Sequence, residues 1–279
     1  MNQQPIKKIA ELKALDRVSR PVADWVRRVT RNDAVENALS GTWFGHSLHP
    51  TLTDIPIGAW TMATALDLTT GRAGAAGARR LVGLGVLTVL PTAACGISDW
   101  SVYRPAQRVG LVHGAANLTA AALQGVSWVA RRRGRRLTGV ALSGLGLGIT
   151  LSAAYLGGHL TLVQGVGVDH TAFERPISDW TDVAALSALP DGKPVRVTPG
   201  GVPVMLVRRD DTVHALSAHC VHAGASLDEG TLVRDDRIRC PLHGSVFRLA
   251  DGKAVRGPAP YDQPSWEVRV DDDRVYVRS

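Results

Sequence analysis

Two short stretches hold residue types suited to metal chemistry. Cys220-Val221-His222 is followed, after 17 intervening residues, by Cys240-Pro241-Leu242-His243. Together they offer two soft thiolates and two imidazoles, a ligand set for a metal centre. A single zinc ion accepts such a set, although zinc sites commonly draw on C-x2-C and H-x3-5-H pairs. The mixed pairing also suits a two-iron cluster in which one iron takes both thiolates and the other both imidazoles. Cys95 is the remaining cysteine, so at most one disulfide can form and a multi-disulfide scaffold is excluded.

A second set of ionisable residues, His46, His49, Asp99, His113 and His159, lies in or beside apolar stretches. Such groups are costly within a membrane and often mark a functional site. Three uses fit their chemistry: axial ligation of a haem b, contact with a quinone head group, or a metal held by imidazole and carboxylate. The alternative is that they cap helices and bond one another. His46-x-x-His49 has the spacing of one helical turn, which permits two ligands.

The elements that must position these groups differ between the two ends of the chain. Its 279 residues suffice for two domains, and the formal charge is +9 over residues 1–175 and −2 over residues 176–279. Residues 81–98, 109–130 and 137–168 contain no Asp, Glu, Lys or Arg over 18, 22 and 32 positions. A helix needs about 20 residues to cross a bilayer, so each window is long enough. A fourth window, residues 55–70, begins beside Pro56 and contains Asp67.

These windows predict four spans, at about 55–70, 81–98, 109–130 and 138–160, within a helical membrane domain over 46–172. Arginine clusters such as Arg79-Arg80 and Arg131-Arg132-Arg133 flank them, and their Gly and Ala content suits close helix packing in lipid. Threading four spans back and forth brings His46, His49, Asp99, His113 and His159 to the level of one membrane face. Residues 1–45 form a basic amphipathic segment, with Lys7, Lys8, Arg27 and Arg28 among its cations, suited to an anionic lipid surface. The opening fifty residues lack an apolar run and predict no cleavable export signal.

From residue 194 the period changes. The runs 195–197, 202–207, 213–216, 237–239, 245–249, 266–270 and 275–278 read as short strands separated by Pro-Gly, Asp-Asp and Asp-Gly turns. The expected architecture is therefore multi-domain: an N-terminal α-helical membrane bundle and a C-terminal all-β domain over 178–279.

Within the latter, Cys220-Val221-His222-Ala223-Gly224-Ala225 and Cys240-Pro241-Leu242-His243-Gly244-Ser245 closely resemble the two cluster-binding loops of Rieske [2Fe–2S] proteins. Gly257-Pro258-Ala259-Pro260 looks like the proline-rich loop that covers the cluster in that family. The resemblance implies that Cys220 and Cys240 hold a buried iron, and His222 and His243 an exposed one. Respiratory-complex members add a disulfide between these loops, and this chain has Ala225 and Leu242 at those places. Ser245 matches a serine that donates to a bridging sulfide, and Phe247 stands where a tyrosine would donate to a cysteine sulfur. The resemblance thus implies a midpoint between ferredoxin-type and respiratory-type Rieske centres. The front half is similar to an uncharacterised four-helix bacterial membrane domain that occurs fused to Rieske domains.

The expected function is a membrane-anchored electron carrier, passing single electrons between a membrane pool or haem and a redox partner protein. A redox sensor or assembly protein is the alternative. A Rieske oxygenase would need a further domain with a mononuclear iron, for which the chain has no room. The basic charge sits at membrane loops rather than on a folded groove, so nucleic acid is not an expected partner. The expected location is the bacterial cytoplasmic membrane, multi-pass. The missing disulfide favours the cytoplasmic side for the Rieske domain, although the arginine-rich loops favour the opposite orientation.

Overall fold

The computed structural model describes residues 4–234 and 236–279. The chain forms two compact units, one of Met1–Thr30 with Leu48–Val166, the other of Arg31–Ser47 with Gly167–Ser279.

The first unit is helical. Two helices, α1 (Gln4–Glu11) and α2 (Asp16–Thr30), precede four long ones: α4 (Leu48–Thr69), α5 (Ala75–Val102), α6 (Gln107–Arg132) and α7 (Arg136–Leu162), with α3 (Asp33–Ser40) lying in the other unit. The four long helices fall on the four windows. Of these, α5 and α7 are long and apolar enough to cross a membrane. Glycine allows the close packing: a Cβ on Gly85 would lie 2.2 Å from the indole nitrogen of Trp60, and one on Gly83 would lie 2.6 Å from that of Trp128. Asp67, which weakens the 55–70 window as a span, is buried and ion-paired. Arg131 donates to both its carboxylate oxygens, at 3.1 and 2.5 Å, and Arg136 lies 3.4 Å away. The basic α2 is not simply a solvated face. Asp16 at its start takes a bidentate bond from Arg108 of α6, and Arg27 donates to the Ser101 carbonyl at 2.8 Å.

The second unit is built from two antiparallel sheets. Six strands, β1 (Thr181–Ala185), β2 (Pro194–Val197), β3 (Val204–Arg209), β4 (Thr212–Ser217), β9 (Ser265–Asp271) and β10 (Arg274–Arg278), take the order β1-β10-β9-β4-β3-β2. The other four, β5 (Thr231–Val233), β6 (Arg237–Arg239), β7 (Val246–Arg248) and β8 (Ala254–Arg256), form a meander. β3 separates two cores: Met205 and Val207 pack with Leu216, Ile238 and Phe247, whereas Val204 and Leu206 pack with Trp266, Val275 and Val277. Burial on both faces explains its uninterrupted apolar run. The strand runs of the sequence correspond to seven of these ten. β1, β5 and β8 escape sequence reading.

The segment expected over 1–45 as one piece divides at Thr30. The Asn32 carboxamide caps α3 by accepting from the amides of Ala34 and Val35, and Gly41, at φ 83°, ends the helix after Ser40. α3 and the turn after it then bond to the residues around β8, as described below.

Candidate functional site

The two Cys-His stretches occupy the loops β4–β5 and β6–β7, and their backbones make the same turn twice. The Cys220 amide donates to the Ala225 carbonyl at 2.8 Å and the Gly224 amide to the Cys220 carbonyl at 2.7 Å. In the second loop, Cys240 donates to Ser245 at 2.8 Å and Gly244 to Cys240 at 3.1 Å. The fifth residue of each turn is a glycine with positive φ, 68° and 81°, a backbone state that costs other residues free energy. Each thiol sits in a nest of amides, from His222 and Ala223 around Cys220 and from Leu242 and His243 around Cys240. N–H donors aimed at sulfur stabilise thiolate and tune any cluster held there.

The four side chains sort into pairs. The thiols hydrogen-bond each other, and that bond with burial pushes the Cys220 thiol up while it draws Cys240 down. The imidazoles pair likewise, Nδ1 to Nδ1 at 3.1 Å with ring centroids 5.0 Å apart. Burial first, then the nearby imidazoles of His243 and His170, pushes His222 down to about 3, so it stays neutral as a metal ligand must. Among the described residues no three His, Cys, Asp or Glu side chains gather as the shell of one metal ion. Two pairs, thiol with thiol and imidazole with imidazole, fit the two-iron donor set better than a single tetrahedral zinc. His222 is buried, whereas His243 is half-buried beside Leu242, which is 55% exposed. The accessible edge is therefore the second loop.

Ser245 is fully buried, and its Oγ accepts from the Ala259 amide at 2.9 Å. No acceptor for its own proton is recorded among the described residues, which leaves a buried donor for a hydrogen-bond acceptor in the site. Phe247 is also fully buried, packed with both cysteines in the upper core. Pro258 lies in a buried loop, 257–260.

Several residues that sequence reading passed over hold this arrangement. Gln263, 1% exposed, accepts from the Val221 amide at 2.9 Å and donates to the carbonyls of Ser217 and His219. His170 donates its amide to the Val221 carbonyl at 3.0 Å. Arg256 donates to the Gly244 carbonyl at 2.7 Å. Nothing in their types marks them, because their partners are backbone groups distant in sequence.

The expected gathering of the other histidines is only partly found. His49 and His113 lie with ring centroids 6.4 Å apart. Each is anchored through Nδ1 to a backbone carbonyl, Thr92 at 2.9 Å and Ala153 at 2.8 Å, and the Asn117 amide nitrogen stands 3.1 Å from His113 Nε2. Small residues make the room: a Cβ on Gly96 would lie 2.5 Å from the His49 ring. His159, in the last turn of α7, has only backbone bonds recorded, its carbonyl accepting from Val163 and Gln164. His46 belongs to the β unit, where its ring packs edge-on against Tyr261 at 5.7 Å, after positive-φ glycines at Gly41 and Gly45.

Comparison with known proteins bears on both units. A family model described as Rieske [2Fe-2S] domain matches residues 179–267, and one described as predicted membrane protein (DUF2231) matches residues 45–170. Ferredoxin CarAc of Metapseudomonas resinovorans is 36% identical over 99 residues, 35% of this chain and 92% of its own. Apoptosis-inducing factor 3 of Homo sapiens is 34% identical over 97 residues, and the match spans only 16% of that protein. Among solved structures, the ferredoxin of carbazole 1,9a-dioxygenase from Nocardioides aromaticivorans IC177 is 34% identical with a TM-score of 0.35, covering 36% of this chain and 98% of that one.

Proposed function

Since the chain belongs to the Rieske [2Fe–2S] family and carries a predicted membrane domain ahead of that domain, we propose that it is a membrane-anchored carrier of single electrons. The paired thiols and paired imidazoles on two copies of one turn are the observation that carries this reading. Cys220, His222, Cys240 and His243 would hold a [2Fe–2S] cluster, whose chemistry is to accept and release one electron. The chain's own part is to hold His222 neutral, to aim amides at both sulfurs, to keep water from the thiols through the buried 257–260 loop, and to present His243 beside an apolar contact residue, Leu242. That exposed edge suits brief docking of a redox partner protein. The ferredoxin relatives support a protein partner, and α5 and α7 support anchoring in a membrane. That the membrane is the bacterial cytoplasmic one and the cluster domain lies in the cytoplasm is proposed from Ala225 and Leu242 standing where a loop disulfide would need cysteines.

The membrane partner is proposed to be a quinone or haem contacted by His49 and His113. The His49 Nδ1 anchor is the kind of outer contact that orients an imidazole for a ligand at Nε2, whereas His113, anchored likewise through Nδ1, has Asn117 at its Nε2, a partner that a ligand would have to displace. Purified full-length protein is expected to contain two irons per chain, to bleach on dithionite reduction, and to give a Rieske-type EPR signal that Cys220→Ser abolishes. Its recovery in carbonate-washed membranes tests the anchor. Sharp haem bands lost in His113→Ala would identify the membrane partner as haem, and their absence would leave quinone. Protein that binds one zinc and no iron would overturn the whole reading.

A further inference from the structure

The Gly257-Pro258-Ala259-Pro260 loop is not held by the β unit's strands alone. The segment 31–47, which precedes the long helices in sequence but folds with the β unit, makes five polar contacts with the loop and the two residues before it. Asn37 accepts from the Gly257 amide at 2.8 Å and donates to the Val255 carbonyl at 3.3 Å. The Thr42 hydroxyl donates to the Ala259 carbonyl at 2.9 Å. Arg256 donates to Asp33 and to Glu36, each at 2.7 Å, while its third nitrogen holds the Gly244 carbonyl. The packing is close, since a Cβ on Gly257 would stand 2.6 Å from the Ser40 hydroxyl.

These contacts lead to the cluster loops by two short routes. One runs from Thr42 through the Ala259 peptide, whose amide donates to Ser245 Oγ. With its oxygen fixed from one side, the buried hydroxyl can turn its proton only elsewhere. The other runs from Glu36 and Asp33 through Arg256 to Gly244, the residue after His243.

We infer that segment 31–47 is a positioning clamp for the Rieske site: through Asn37, Thr42 and the carboxylates of Asp33 and Glu36 that hold Arg256 it fixes the covering loop, the Ser245 hydroxyl and the second ligand loop, and so sets the potential of the cluster. This rests on the electron-carrier reading above. Releasing the clamp lets the Ser245 hydroxyl wander from its donor direction, which weakens a contact favouring the reduced cluster.

The test uses full-length protein in detergent and three variants: Thr42→Ala, Asn37→Ala and the conservative Thr42→Ser. Iron content and the EPR signal of the unmodified protein come first, and absence of both sinks the cluster reading itself. Given a normal signal, Thr42→Ala and Asn37→Ala are expected to shift the oxidised-to-reduced ratio at fixed poise at least about threefold toward oxidised, near 28 mV at 59 mV per decade. Thr42→Ser restores the unmodified value. Unchanged midpoints and EPR line shapes in both alanine variants overturn the clamp. Should a variant lose its cluster, hydrogen exchange of the Ala259 amide in the same protein decides: faster exchange supports the clamp, and unaltered protection refutes it.

Discussion

Ser245 spends its oxygen on the Ala259 amide and keeps its proton for the site. Replacing it with alanine removes about one hydrogen bond, roughly 1 to 1.5 kcal/mol, which corresponds to about tenfold in the redox equilibrium or near 60 mV. Ser245→Ala is therefore expected to lower the midpoint by about that amount in an EPR-monitored titration, and a midpoint unmoved would show that the hydroxyl does not reach the cluster. His214 in β4 makes a separate prediction about pH. Burial holds its imidazole below the ordinary 6.5. A group with a lowered folded pKa is protonated in the unfolded chain before it is in the fold, so its share of stability is full above 6.5 and is lost as pH falls below it. His214→Asn should flatten the decline in urea midpoint between pH 7.5 and 5.5, read by loss of cluster absorbance. At this scale the four proposed ligands, with Ser245 and Phe247 beside them, can be picked out in the sequence because their side-chain types carry the chemistry. The sulfur-directed amides of Ala223 and Leu242 are not, since every residue but proline has an amide.

Three of the four long helices, α5 to α7, are legible for an equally plain reason: charge-free windows of 18 residues or more leave few other elements possible. What the pattern does not reveal is how α4 tolerates Asp67. The answer is a tertiary pair with Arg131, side chains 1% and 3% exposed, with Ser127 bonded to Arg131 from the same helix. Removing one member leaves a buried charge without its partner, at a cost of about 3 to 5 kcal/mol. Arg131→Ala and Asp67→Ala should each lower the thermal midpoint sharply in detergent, and the double variant should lose less than the sum of the two. Additive losses would show that the carboxylate and guanidinium act independently. α3 was hidden for the opposite reason. Its eight residues are fewer than an isolated helix needs in water, and it persists through its Asn32 cap and its partners near β8.

Along the sequence the two units alternate: the long helices fall between the two pieces of the β unit, Arg31–Ser47 and Gly167–Ser279. A folded unit lies on one side of a membrane, so under the proposed anchoring the crossings between Leu48 and Val166 are even in number. Cysteines introduced at the exposed Trp43 and at Ser279 should accordingly react with an impermeant maleimide from the same side, and labelling from opposite sides would break the unit apart. The bond between Asn37 and Gly257 spans 220 residues. During synthesis, then, α3 leaves the ribosome well before anything it binds exists, and the hydrophobic helices emerge while it waits. What is made near the beginning is completed near the end, so the 257–260 loop meets segment 31–47 only after both Cys-His loops have been translated.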